Sequence, residues 1–522
     1  MGAALLAAVA AAVVAAVAAA LGTASCRGAS PPEEQYPQPP QPRLVLLFAT
    51  CTLNTSFLSP YNPEVSYTPR LQWLAGDGQV FTRHRTEAGM SGVSFASILS
   101  GGQAPLHGVF SHPKELLDSV ELISEAFVRD GYEAFFWSRQ GMASAELNYG
   151  QGIPPENVIP AILRGDDERF QEILARLGED PDYKAFIFAN FTITHAPYED
   201  IHVEVFCEAH PAECELLEGV PEGWADEHYE LLHENFRSFQ FNFPATVENL
   251  GWSSEEVDDF AQLLLILFRS NVYWLDRMFG RVVRFIDDAG LRDEALIVFT
   301  ADHGESMYNP SDLFHWSHGS SLEAEVLDVP LIIRAPGQGV RPGRVEFVTR
   351  SADVFPTIAG LAGIAGPELA ESGPTAGVDL SAVVRGLQPA PPLEAYSHTG
   401  IWPTASLRRH APEMMLFFEY FTESSIEQTW VALRDGDTVL KYRRGLDDEW
   451  RFEAYDLATD QTEEEDIYDP ANPMFRSMAE RLRRYKVDLM SAYAEWQDRR
   501  GTQADGLSEE DLRRLRSLGY IQ

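Results

Sequence analysis

The chain has 522 residues, with 79 Asp and Glu against 40 Lys and Arg, for a formal charge of −39. That acid excess excludes nucleic acid as a partner, because binding a phosphate backbone needs basic surface to displace its counterions. With 45 % hydrophobic residues and 33 Pro the chain is neither disordered nor a coiled coil, and its length suits one large core with an appendage, or two domains.

Residues 1–25 are mostly Ala, Leu and Val. They read as an export signal, or as an N-terminal anchor of about membrane-spanning length. Small residues precede Cys26 in Thr23-Ala24-Ser25-Cys26, as at a bacterial lipoprotein cleavage site. The expected location is therefore periplasmic, cell-surface or secreted, with membrane attachment through the N-terminus alone. Residues 26–42 form a Pro-rich linker.

Arg43 to Thr50 is an apolar run of buried-strand type. It is followed by Cys51-Thr52-Leu53-Asn54-Thr55-Ser56, and Ser91-Gly92-Val93-Ser94 opens a helix. Residues 115–130 have apolar spacings of three and four and predict a helix, with a strand returning over Gly131 to Arg139. Another strand, Tyr183 to Phe191, leads into His195-Ala196-Pro197-Tyr198. Residues 200–250 are acidic, aromatic and expected to be irregular, an insertion where substrate selectivity tends to reside. Within it, Cys207 and Cys214 are expected to form a disulfide if the compartment is oxidising, with a metal pair beside His210 as the competing reading. Ser253-Ser254-Glu255-Glu256 is a capping box opening a long helix that carries Leu264, Phe268, Leu275, Phe279, Val282 and Ile286.

That helix delivers the chain to the strand Ala295 to Phe299, which ends in Asp302-His303-Gly304-Glu305. Open α/β sheets build sites at the carboxyl ends of strands, and Asp with neutral imidazole is a donor pair for a divalent cation of the calcium or zinc type. His315 and His318-Gly319 then precede a further strand, Val329 to Arg334. A Pro-rich break over 389–392 separates a C-terminal region with strands over 429–433 and 438–442. Tyr455-Asp456-Leu457 and a charged amphipathic helix from Pro473 to Arg499 follow.

The sequence strand–Asp-His-Gly-Glu–His-Gly–VPLIIRAPG resembles the sulfatase branch of the alkaline phosphatase superfamily, and the likeness runs over residues 43–522. It implies an α/β fold with a mixed, largely parallel central sheet flanked by helices and a smaller C-terminal α+β subdomain. The catalytic-fold domain would cover 43–388 and the subdomain with its helical tail 389–522. By the same resemblance Asp302 and His303 hold the metal, Ser91 is the nucleophile, His195 acts as general acid, and His318 and Arg139 contact the ester. Two departures are visible. The family's first strand ends in two metal-binding Asp residues, for which Cys51 and Ser56 stand here, leaving a softer Cys-Asp-His set of more zinc-like character. The Pro and Arg that accompany formylglycine formation are Val93 and Phe95, so Ser91 is expected to stay a plain hydroxyl. The implied function is an exported hydrolase of sulfate or phosphate esters, small-molecule or linked to glycan or lipid; a non-catalytic relative that binds a ligand or partner is the alternative. Because the chain repels anions at long range, a site for such an ester needs local positive charge from a metal or an arginine.

Overall fold

Strand β1, Leu44–Thr50, lies between two parallel neighbours, β6 (Ala185–Phe191) and β7 (Ala295–Ala301), with Thr50 level with both Phe191 and Ala301. In this computed structural model, residues 39–500 are described apart from 311, 313, 368–372, much of 403–424, 446 and 448, together with Arg513. The expected signal or anchor, Cys26 and most of the linker lie outside the described residues, as does the end of the chain around Leu518. Among the described residues no helix is long and apolar enough to cross a membrane.

The remaining strands are β2 (Gln79–Phe81), β3 (His84–Arg85), β4 (Glu133–Trp137), β5 (Val158–Ile159), β8 (Leu331–Arg334), β9 (Gly343–Val345) and β10 (Thr349–Arg350) in the N-terminal part. The C-terminal part has β11 (Ala395–His398), β12 (Val431–Asp435), β13 (Thr438–Arg444) and β14 (Trp450–Asp456). The large sheet has the order β5-β4-β6-β1-β7-β8-β2-β9. It is parallel except where β8 runs against β7 and β2. Both faces of its centre are covered, so the central strands are apolar throughout rather than alternating. Val45, Leu47 and Ala49 of β1 face one hydrophobic cluster, while Leu44, Leu46 and Phe48 face another.

The principal helices are α1 (Pro69–Ala75), α2 (Ser91–Ser100), α3 (Ile123–Arg129), α4 (Glu168–Glu179), α5 (Val203–Ala209), α6 (Trp224–Phe241), α7 (Phe243–Leu250), α8 (Ser254–Asp288), α9 (Val354–Ala362) and α10 (Pro473–Arg500). Helix α8 opens at the expected capping box: Glu256 N donates to Ser253 Oγ at 3.3 Å and Ser253 N to Glu256 Oε2 at 2.7 Å. Its Leu264, Phe268, Leu275, Phe279, Val282 and Ile286 are all buried on one side of the sheet. Asp276, also buried, accepts N–H bonds from Arg70 and Leu71 and so caps α1.

Two local expectations need correction. The helix read over 115–130 covers Ile123–Arg129 only. It starts where Glu125 accepts from Leu122 N at 2.9 Å, whereas the preceding apolar residues are held by other segments, Leu116 N bonding Leu147 O. Residues 200–250 are not irregular but largely helical, because Leu232, Phe236 and Phe239 of α6 share one buried face. Cys207 and Cys214 are joined as a disulfide within this insertion.

Strands β11 to β14 form an antiparallel sheet against which α10 packs. Its Val431, Leu433 and Leu440, with Met478, Leu482 and Leu489 of α10, belong to the same hydrophobic cluster as Val93, Ile98 and Leu99 of α2. A buried polar knot ties the two parts together. Glu87 accepts from Ser97 Oγ at 2.6 Å and from Ala104 N at 2.8 Å. His107 and His398 each place Nε2 3.4 Å from the same carboxylate. In both rings Nδ1 accepts a backbone N–H, from Val109 at 3.1 Å and from Gly400 at 2.9 Å, so Nε2 carries the proton, which in His107 faces Ser97 Oγ at 3.2 Å beside Glu87. These hydrogen bonds and the neighbouring imidazoles outweigh burial and hold the Glu87 carboxyl down at about 2.

Candidate functional site

Three adjacent parallel strands end at one level, and the residues just beyond those ends make the site. Cys51 comes directly after β1, Asp302 directly after β7, and His195 four residues past β6. Cys51 N donates to Phe191 O and Asp302 N to Thr50 O, so these ends are stitched across the sheet. Thr52 has φ of +51°, a left-handed conformation strained for a β-branched residue. In that turn its N–H points at Asp302 Oδ1, 3.2 Å away, and its Oγ1 donates to Thr194 O at 2.6 Å. Gly304 is needed for close approach: a Cβ there would lie 1.9 Å from Glu325 O.

Into this turn points the first residue of α2. Met90 holds the N-cap position, so Ser91 is not spent on capping the helix. Its Oγ lies 3.1 Å from His303 Nε2, 3.5 Å from Cys51 Sγ and 3.2 Å from Gln140 Nε2. Cys51 Sγ donates to Asp302 Oδ2 at 3.4 Å, and His303 Nε2 is 3.5 Å from that oxygen. Cys51, Ser91, Asp302 and His303 are all fully buried. His303 Nδ1 donates to Gly304 O at 2.8 Å, which fixes the tautomer and leaves Nε2 with a lone pair facing Ser91. Gln140 Oε1 accepts from Met142 N at 3.1 Å, so its amide N–H end must face Ser91 and Cys51.

Around this centre the histidines gather. The His318 ring lies 4.4 Å from that of His303 and 5.1 Å from that of His195. Tyr198 OH donates to Glu305 Oε2 at 2.8 Å, and Glu305 Oε1 is 3.1 Å from His318 Nδ1. Burial pushes the Glu305 carboxyl well up and His318 well down, so the two form a neutral pair. Burial also lowers His195 to about 4, against a smaller opposing effect of its hydrogen bond to Ala196 O. Gly319, with φ of +77°, completes the loop at a place where a Cβ would sit 2.6 Å from the Trp402 ring.

The structure thus brings Ser91, His195, Asp302, His303 and His318 together and does not bring Arg139 with them. The strand ends at Trp137, Arg139 is exposed beside Pro160 in a surface groove, and the next residue, Gln140, is the buried one that reaches Ser91. Ser56 does not stand near the metal-type donors either; it is exposed and bonded to Asn54. Of the two positions read as displaced carboxylates, only Cys51 faces Asp302 and His303. His315 is buried against Phe243 and Tyr308 rather than joined to the central group. The residues that sequence reasoning missed are Gln140, Glu305 and Arg237. Arg237 is 5 % exposed on α6, its Nη1 donates to Gln240 Oε1 at 2.5 Å, and Gln240 Nε2 donates to the carbonyl of Trp316, two residues before His318. Its positive charge acts on His195, His318 and Glu305. No motif marks it, because it rides on the inserted helix.

Cys51, Asp302 and His303 form a group whose donor atoms all lie within 4.8 Å of one another, suited to one metal ion. Four of the six distances among Sγ, Oδ2, Nε2 and Ser91 Oγ run from 3.1 to 3.5 Å. A tetrahedral ion with ligands at about 2.0–2.3 Å has edges of roughly 3.3–3.7 Å, so the residues fit such an ion.

The neutral histidines carry a pH consequence. His84 and His112 are lowered to about 3 and His195 and His315 to about 4, each chiefly by burial, from 6.5. The unfolded chain takes up these protons first, so stability is greatest above pH 6.5 and falls as pH drops toward 4, each histidine costing on the order of 3 kcal/mol by the end of that range. Thermal unfolding followed from pH 8 to pH 4.5 should show Tm falling steadily below about 6.5; a flat Tm across that range contradicts neutral burial.

A family model described as Sulfatase matches residues 44–364, more than half of the chain. The multifunctional alkaline phosphatase superfamily protein PehA of Trinickia caryophylli is 36 % identical over 85 residues, 16 % of each chain. The ulvan-active sulfatase of Formosa agariphila is 22 % identical over 386 residues, 71 % of this chain and 70 % of that one. The matched stretches of the first curated relatives span a fifth of their length or less. A solved structure of a protein in complex with its substrate D-glucosamine-2-N,6-O-disulfate superposes with a TM-score of 0.59 at 15 % identity, over 90 % of this chain and all of that one.

Proposed function

Because the chain belongs to the sulfatase family, we propose that it is an exported hydrolase of sulfate or phosphate esters, with Ser91 as nucleophile. The observation that carries this reading is the Ser91 hydroxyl, buried at the start of α2 and 3.1 Å from the lone pair of His303 Nε2 where three strands end. Ser91 Oγ attacks the sulfur or phosphorus and displaces the alcohol, and water then cleaves the Ser91 ester and restores the hydroxyl. The proton lost by Ser91 ends on the departing alcohol. His195 is its carrier: Nδ1 is engaged by Ala196 O, and the other nitrogen keeps a lone pair whose basicity burial holds down in the free site. The charge of a bound ester raises that basicity toward the neutral range. His318, oriented through Glu305 and Tyr198, lies against the ester oxygens.

Cys51, Asp302 and His303 would hold a divalent ion. When bound, it supplies Lewis acidity that favours the deprotonated hydroxyl and neutralises charge on the ester.

Arg237 takes the part expected of Arg139 as the cationic partner of the anion, held in place through Gln240. The relatives' sulfated saccharides make a glycan or small-molecule ester the favoured substrate class. Export is supported by the apolar N-terminal stretch of the sequence and by the disulfide.

The test is release of inorganic sulfate or phosphate from aryl and sugar esters. Arg237→Gln should raise KM by about 10- to 100-fold, the worth of a charge-assisted hydrogen bond, with the far-UV spectrum unchanged. An unaltered KM on every anionic ester removes Arg237 from the site, and absence of turnover across the panel overturns the hydrolase reading.

A further inference from the structure

The ligand set departs from what calcium needs. Calcium takes six to eight oxygen ligands. Among the described residues, the side-chain oxygens bonded within this group are Asp302 Oδ2 and Ser91 Oγ, since Asp302 Oδ1 is committed to the N–H groups of Thr52 and His303. Gln140 cannot add an oxygen, because Met142 N holds Oε1 and turns the N–H end inward. An N–H donor 3.4 Å from a sulfur and 3.2 Å from a hydroxyl oxygen is poorly placed for a cation but well placed to stabilise a thiolate and an alkoxide. The four donor atoms are those of a sulfur, nitrogen and oxygen tetrahedron with one exchangeable corner, the pattern of a zinc-type site.

Building on the hydrolase reading above, we propose that Cys51 is a thiolate ligand that makes this a site for zinc-class ions in place of calcium, with the Gln140 amide as its outer donor. On binding, the Cys51 S–H bond is exchanged for a sulfur–metal bond and the proton leaves to solvent. Asp302 and the thiolate then match the two charges of the ion, leaving Ser91 Oγ at the fourth corner.

The experiment uses the full chain stripped of metal and titrated with cobalt(II), with zinc and calcium as competitors. Wild type should take up about one cobalt with a strong near-ultraviolet sulfur-to-cobalt charge-transfer band, release it to one equivalent of zinc, and ignore millimolar calcium. Cys51→Ser should lose the band and bind zinc at least about 100-fold more weakly. Cys51→Asp should lose it and gain affinity for calcium or manganese. Tm of each metal-free variant shows that the fold survives. Cobalt bound without the charge-transfer band, or calcium displacing it from wild type, overturns the sulfur ligand while leaving a metal-assisted hydrolase standing. No binding of any ion overturns both. A charge-transfer band in a protein that turns over no ester supports the sulfur site and removes the hydrolase.

Discussion

Ser91→Ala should reduce kcat on sulfate and phosphate esters by about a thousandfold or more, with KM changed only a few-fold. The reason is positional. Ser91 Oγ is the hydroxyl that meets His303, Cys51 and Gln140 at once, and its place in the first turn of α2 leaves it free of capping duty. On the proposed mechanism, removing it deletes the group that would form the covalent bond, while His195, His318 and Arg237 would still hold the substrate. The structural cost is about 1–3 kcal/mol, because His303 Nε2 and Gln140 Nε2 lose a buried partner, so the variant should fold and retain ligand affinity. Steady-state kinetics alongside equilibrium binding of a slowly turned-over ester check this. A kcat within tenfold of wild type would show that attack comes from another group, with water as the first alternative.

Glu87→Ala is expected to cost stability, by about 4 kcal/mol or more. Its carboxylate accepts from Ser97 Oγ and Ala104 N, and the Nε2 atoms of His107 and His398 lie 3.4 Å from it, all buried. Each donor left without an acceptor costs about 1–3 kcal/mol. Tm should drop by about 4 °C or more. The pH dependence runs in a definite sense. The folded carboxyl, at about 2, lies below its ordinary 4.5. The stabilisation is therefore complete above pH 4.5 and is lost as pH falls toward 2, worth about 3 kcal/mol in all. Glu87→Gln should remove this acid-side dependence while sparing part of the neutral-pH stability, because one amide oxygen still accepts. Denaturant melts at pH 7 and pH 3.5 separate the two. If wild type and Glu87→Gln lose the same stability between those values, the carboxylate is not what the knot depends on.

Much of the site could be read from the chain because strand ends are easy to recognise. Continuous apolar runs before Cys51, Asp302 and His195 marked fully covered strands, and the common register of β1, β6 and β7 brings the residues beyond their ends to one place. The features that escaped depend on turns and on distant partners. The run through Ser138 and Arg139 looks like strand, but pairing stops at Trp137 and the chain bends, so the inward side chain is Gln140, one position later. A shift of one residue is enough to exchange inside for outside. Ser56 was out of reach for the same kind of reason: a short 3-10 turn over Thr55–Phe57 carries it outward. Arg237 belongs to an insertion whose helical face became visible only when Leu232, Phe236 and Phe239 found the core. The C-terminal strand Trp450–Asp456 was legible only as its closing Tyr455-Asp456.

The knot at Glu87 also bears on when the candidate site is complete. Synthesis proceeds from the N-terminus, so Ser91, His195 and Asp302 emerge long before His398 and the Tyr485 that lies at the same carboxylate. Until the last sheet and α10 arrive, the helix bearing Ser91 lacks the partners that fix its far end, and Trp496 has not yet closed over Pro105. The arrangement around Glu87 and the far end of α2 thus depends on residues from both ends of the folded part. A chain still being synthesised would carry Ser91, His195, Asp302 and His303 and yet lack the contacts through which α10 and the last sheet close on Glu87 and Pro105.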